Sequence, residues 1–71
     1  MSSISIEEAE KIAIEFVQKK RGNKQITVNT VTRIDGNKVR VSGTYTEPEL
    51  GVFDWEVKIG ADKTVYEYNV P

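Results

Sequence analysis

The stretch Ala13-Ile14-Glu15-Phe16-Val17-Gln18-Lys19-Lys20-Arg21-Gly22-Asn23-Lys24-Gln25-Ile26-Thr27-Val28 decides the fold. Up to Arg21, apolar residues recur three and four positions apart, the period of one helical face. From Gln25 onward they alternate with polar residues, the period of a strand with one face buried. Gly22 stands at the change, where a residue free to adopt positive φ ends a helix. The switch predicts one helix followed by a sheet.

Upstream of the switch, Ser5-Ile6-Glu7-Glu8 fits a capping box: the Ser5 hydroxyl accepts from the Glu8 amide and the Glu8 carboxylate reaches back. Glu7, Glu8 and Glu10 suit the positive end of the helix dipole, and Lys19, Lys20 and Arg21 suit the negative end. Ile6, Ala9, Ala13, Phe16 and Val17 share a face, with Ile12 on its flank. The helix is expected over about Ile6 to Arg21.

Downstream, the first strand runs from about Gln25 to Ile34, with Ile26, Val28, Thr30, Thr32 and Ile34 on one parity. Val31 breaks that parity. It is either a lone exposed apolar residue or the mark of a bulge near Asn29-Thr30. Asp35-Gly36-Asn37 signals a hairpin. A turn on Asp35-Gly36 pairs Ile26 with Tyr45, and one on Gly36-Asn37 pairs Ile34 with Val39; both keep the same faces together. The second strand, about Lys38 to Thr46, turns Val39, Val41, Gly43 and Tyr45 inward. Glu47-Pro48-Glu49-Leu50-Gly51 is a loop. The third strand turns Phe53, Trp55, Val57 and Ile59 inward and Asp54, Glu56 and Lys58 outward. After a turn at Gly60-Ala61-Asp62-Lys63, the fourth strand places Tyr66, Tyr68 and Val70 on one side and Val65, Glu67 and Asn69 on the other.

Short sequential connections make the sheet a meander. The fold class is therefore α+β, one N-terminal helix packed on a four-stranded antiparallel meander, in a single domain spanning residues 1–71. Four strands span roughly 14 Å between outer axes, and a helix with its side chains is about 10 Å across. The sheet must curl around the helix, or another molecule must cover the remainder. Gly43, inward and mid-strand, marks a bend or a close approach.

Composition narrows the chemistry. With no Cys and no His among 71 residues, disulfides, thiolate chemistry, structural zinc and imidazole catalysis are absent. Ser2, Ser3, Ser5 and Ser42 have no histidine to activate them, so no enzyme and no cofactor are expected. Ten Lys and Arg against 11 Asp and Glu lack the basic excess of a nucleic-acid binder. No apolar run approaches the roughly 20 residues of a membrane span, and the first residues are not a signal peptide. These features predict a cytoplasmic chain without membrane or nucleic-acid partners. Charged residues at 30% with a single Met hint at a thermophilic source.

Two segments carry a resemblance. Ile4-Ser5-Ile6-Glu7-Glu8-Ala9-Glu10-Lys11-Ile12-Ala13 resembles the helical opening of PepSY domains. Trp55-Glu56-Val57-Lys58-Ile59-Gly60-Ala61-Asp62, followed by Val65, resembles their closing hairpin. The turn here, Gly60-Ala61-Asp62-Lys63-Thr64, lacks the glycine usual late in it. The resemblance implies a cystatin-like half-barrel, with the sheet wrapped around the helix. PepSY domains occur in propeptides of secreted metallopeptidases and in membrane-associated proteins, which implies a peptidase-regulating role. Val39-Arg40-Val41-Ser42-Gly43 resembles the cystatin inhibitory stretch, but Val39 replaces the expected glutamine and the hairpin tip falls early, so cysteine-protease inhibition is not carried over.

Three groups of residues bear on function. Glu47, Glu49 and Asp54 gather carboxylates, but without the Asp-x-Asp-x-Asp-Gly spacing of a calcium loop they read as a solvated acidic loop. Phe53, Trp55, Tyr45, Tyr66 and Tyr68 fall on core parity and read as core, with Tyr66 and Tyr68 nearest an edge. Arg33, Lys38 and Arg40 place basic charge outside the first hairpin, and Asp54, Glu56 and Glu67 place acidic charge outside the second. This is either a mixed face tied by cross-strand pairs or a docking surface whose basic half takes an acidic partner. With Tyr66 and Tyr68 these six form the candidate interaction surface. The expected function is a small non-catalytic protein-interaction or regulatory module. The alternative is a small-ligand carrier with a pocket lined by Phe16, Tyr45, Trp55 and Tyr68. A homodimer through a sheet edge or the uncovered apolar end of the sheet is the further expectation, against a monomer whose sheet wraps the helix unaided.

Overall fold

The structure is a computed structural model that describes residues 4–22 and 25–71. Its elements are α1 (Ile6–Arg21), β1 (Gln25–Asp35), β2 (Lys38–Glu47), β3 (Gly51–Ile59) and β4 (Val65–Asn69). The strands form one antiparallel sheet in the order β1-β2-β3-β4, and α1 lies against β1, β2 and β3. Helix, meander and hairpin order follow the change of period at Gly22.

Both ends of α1 are held as the residue types dictate. The Ser5 hydroxyl accepts from the Glu8 amide at 3.0 Å, removing one orphan donor of the first turn. Gly22 has φ 79°, and its N–H donates to the Gln18 carbonyl at 2.6 Å. Ala9, Ala13 and Val17 are fully buried. Ile6 is a correction to the expected face, being 38% exposed. Its place is taken by Ile4, just before the cap and 1% exposed. Ile4 and Ala9 share the core in the arrangement of a hydrophobic staple.

The core lies between α1 and the inner faces of β2 and β3. Val39, Val41, Tyr45, Trp55, Val57 and Ile59 are all buried there. Along the ladder Val39 faces Ile59, Val41 faces Val57, Trp55 faces Gly43 and Tyr45 faces Phe53. The alternation read from these two strands holds at every inward position, with Phe53 only half-buried at the outer end.

The outer strands depart from strict alternation. Gly36 and Asn37 form the turn, with Asp35 opposite Lys38 and Asp35 Oδ1 accepting from the Asn37 amide at 3.2 Å. One bulge at Ile34 then brings Arg33 opposite Val39, and a second at Asn29 brings Ile26 opposite Tyr45. The tip thus follows one of the two expected registers and the base follows the other. The Asn29 bulge turns Val31 inward against Val41, where it is half-buried, and turns Thr30 and Thr32 outward. Ile34, expected inward, is 45% exposed. In β4 a register shift at Tyr66 puts Val65 opposite Ile59 and Tyr68 opposite Val57. Val65, expected on the side of Glu67, therefore packs with the core.

Candidate interaction surface

Arg40 and Lys58 stand opposite each other on the outer face of β2 and β3, a like-charged pair relieved by Glu56, diagonal to Arg40, and by Glu67, directly opposite Lys58 on β4. Arg40 Nη1 lies 3.6 Å from Glu56 Oε2, and Lys58 Nζ lies 3.5 Å from Glu67 Oε1. Glu56, Lys58, Glu67, Tyr68 and Asn69 line a shallow depression of about 40 Å³ on this side. Asp54 is exposed one step along β3, opposite Thr44. The cross-strand tying expected of a mixed face is present in the Arg40–Glu56 pair.

Lys38 and Tyr66 meet because of a missing side chain. Lys38 lies one step beyond the Val39–Ile59 pair, alongside Gly60. A Cβ on Gly60 would sit 3.8 Å from Tyr66 Cδ2, so the ring occupies the space above Gly60. Lys38 Nζ is then 5.4 Å from the ring centroid, within cation–π range.

Tyr68 belongs to the other face. It opposes buried Val57 and meets the Phe16 ring edge-on at 4.8 Å. Lys20 Nζ lies 4.8 Å from the Tyr68 ring centroid and 5.5 Å from that of Phe16, and donates to the Tyr68 hydroxyl at 3.3 Å. Arg21 donates to the Val70 carbonyl at 3.5 Å. The last turn of α1 thereby holds the end of β4. Lys20 was read from sequence only as a complement to the helix dipole; the signal for its contact was its place four residues after Phe16 on one helix face.

Arg33 is the correction to the expected surface. The Ile34 bulge turns it from the outer face to the helix side, opposite Val39. There its guanidinium donates to the Ile4 carbonyl at 3.0 Å, tying the chain ahead of α1 to β1. It is a structural clamp, separated by the sheet from Lys38 and Arg40.

The residues named for a ligand pocket pack with one another or with close neighbours. Tyr45 and Trp55 are each 2% exposed. Tyr45 stacks on Phe53 with centroids 5.5 Å apart, and its hydroxyl donates to the Pro71 carbonyl. Trp55 Nε1 is buried and has no hydrogen-bond partner. No group of three or more carboxylates gathers to hold a metal ion among the described residues, and no helix there is long and apolar enough to cross a membrane.

Two carboxylates are shifted. Lys63 Nζ, 2.6 Å from Glu8 Oε2, holds Glu8 below its ordinary value, with a smaller contribution from the Ser5 backbone N–H. The Thr64 hydroxyl, at 2.6 Å, and the Thr64 amide, at 3.2 Å, lower Asp62. Both groups are hydrogen-bonded as anions at turns, a structural use of the charge.

The chain matches no family model, no curated protein and no solved structure.

Proposed function

We propose that this chain is a small, non-catalytic protein-interaction module whose docking surface is the margin of β4 and the outer face beside it. The observation that carries the reading is the pair of tyrosines on that margin. Tyr66 and Tyr68, 46% and 50% exposed, stand on an edge strand, each with a lysine against its ring. Half-exposed rigid aromatics are the residues that anchor protein interfaces. An edge strand adds unpaired backbone groups that an extended segment can use as a ladder.

Charge selects the partner. Glu56 and Glu67 are each neutralised by a cation, whereas Lys20 and Lys38 meet rings and no carboxylate among the described residues. The margin is left cationic, which fits an extended segment with acidic side chains. The resemblance of the two chain ends to PepSY domains supports a regulatory role toward a peptidase.

The test compares wild-type protein with Tyr66→Ser/Lys38→Ser. Proteins retained from the source lysate are identified, purified and titrated into each protein. A loss of at least about tenfold in affinity, with amide shifts confined to β4 and its neighbours, is expected. Equal binding by the variant, or shifts centred elsewhere, overturns the reading.

A second reading, a small-ligand carrier, rests on one observation, the buried and unpartnered Trp55 Nε1. An acceptor from a ligand would relieve that cost. Native mass spectrometry of freshly purified protein is the check: a persistent adduct promotes this reading, and the bare chain mass removes it.

A further inference from the structure

The register shift at Tyr66 sends the two tyrosines of β4, each with a lysine against its ring, to opposite faces of the sheet. Tyr68 opposes buried Val57 and lies on the helix side, where Lys20 Nζ is 4.8 Å from its ring centroid. Tyr66 lies over Gly60 on the outer face, where Lys38 Nζ is 5.4 Å from its ring centroid. Neither lysine is paired with a carboxylate among the described residues. Asp35, opposite Lys38, turns its Oδ1 to the Asn37 amide instead. Glu67, between the two tyrosines, is held by Lys58. β4 ends the sheet, so one side of its backbone has no strand beside it. It pairs regularly with β3 from Glu67 to Asn69, whereas the opposite edge, β1, is broken by two bulges.

We infer that the β4 edge takes an extended segment of a partner protein bearing two carboxylates an odd number of positions apart, one for Lys20 on the helix side and one for Lys38 on the outer face. The inference rests on the docking margin proposed above and adds the pattern that its partner carries. A segment that joins β4 as a further strand turns successive side chains to opposite faces. A carboxylate beside Lys20 and another beside Lys38 therefore differ in parity, whichever way the segment runs. Tyr66 and Tyr68 are two residues apart, about 7 Å along an extended strand, so the carboxylates stand one or three positions apart. A segment with its two charges on alternate residues presents both on one face and reaches a single lysine. Parity thus separates partners of equal net charge, which a cationic margin by itself does not.

Amide chemical-shift titration with two short capped peptides tests the inference. Both are threonine-rich and of one composition, with two Glu residues three positions apart in the first and two positions apart in the second. The first is expected to bind at least about threefold more tightly, with shifts at β4, Lys20 and Lys38. Lys38→Gln and Lys20→Gln should each abolish the preference, whereas Lys11→Gln, on the exposed face of α1, should leave it. Lys20 also holds the end of β4, so Lys38→Gln decides if Lys20→Gln loosens that strand. Equal binding of the two peptides at β4 overturns the inference and leaves the docking margin standing. So does the absence of β4 shifts with either peptide while the partner retained from the lysate still shifts β4. A preference that survives Lys38→Gln likewise overturns the assigned contacts. A lysate partner that shifts residues elsewhere overturns both the inference and the reading beneath it.

Discussion

A methyl group on Gly43 would lie 1.9 Å from the Thr27 carbonyl oxygen and 2.8 Å from Trp55 Cζ2. The first of these is backbone of the neighbouring strand, so no side-chain rotation relieves it. Gly43 is the gap that lets the Trp55 ring lie flat across β2. Gly43→Ala is expected to cost about 3 kcal/mol or more, a large part of the roughly 4–10 kcal/mol available to a domain of this length. Denaturant unfolding measures it, and an unchanged midpoint would mean that β1 does not approach Gly43 this closely. Trp55→Ala removes the largest buried side chain and should cost about 3–5 kcal/mol. A melting temperature that survives it would make Trp55 a surface residue. Both positions could be read in advance, one as an inward glycine and the other as an inward tryptophan. That they are partners across the ladder required the β2–β3 register.

The segment from Gly60 to Val65 shows how one turn ties two elements together. Lys63, late in this turn, adopts φ 69°. A left-handed conformation costs a residue with a Cβ about 1 kcal/mol. Lys63 recovers part of that by pairing with Glu8 on the first turn of α1, an exposed contact of small worth. Lys63→Gly is therefore expected to raise the melting temperature at neutral pH, since strain relief exceeds the lost pair. A lower melting temperature would show that the pair outweighs the strain. The outer strands carry a comparable local decision. The bulges at Asn29 and Ile34 move Arg33 under the helix and Ile34 out of the core. They also interrupt the β1 edge, which discourages pairing there with another chain. Only the misplaced parity of Val31 signalled them, because a one-residue slip leaves composition and propensity unchanged.

For the molecule as a whole, Glu8 and Asp62 contribute to a loss of stability in acid. Both have folded pKa values below their unfolded ones. Each therefore contributes fully above the ordinary carboxylate range near pH 4, and the contribution is lost as pH falls through the lower folded value. The melting temperature should fall below about pH 4–5. Glu8→Gln should lie below wild type at pH 7 and converge with it in acid, as followed by circular dichroism. Parallel curves would show that the Lys63 contact is not formed in solution. Added salt should narrow the neutral-pH gap, because the pair is exposed.

Period, caps and turn residues were enough to give one helix, four strands, their order and the inward faces of β2 and β3. These are local properties: a buried face must repeat at the period of its element, and chain reversal needs Gly, Asn or Asp at defined places. The paired charges of Arg40, Glu56, Lys58 and Glu67 were legible for the same reason, as outward positions on adjoining strands. Three things belonged to the tertiary structure alone. The bulges decided that Arg33 faces the helix and that Tyr66 and Tyr68 part to opposite sides of β4. The reach of α1 over the β2–β3 hairpin decided that Leu50 and Val52 are left exposed. The packing of α1 on the sheet decided that Lys20 meets Tyr68 across 48 residues. Each depends on where two distant segments come to rest against each other, and a residue's own neighbours along the chain carry no record of that.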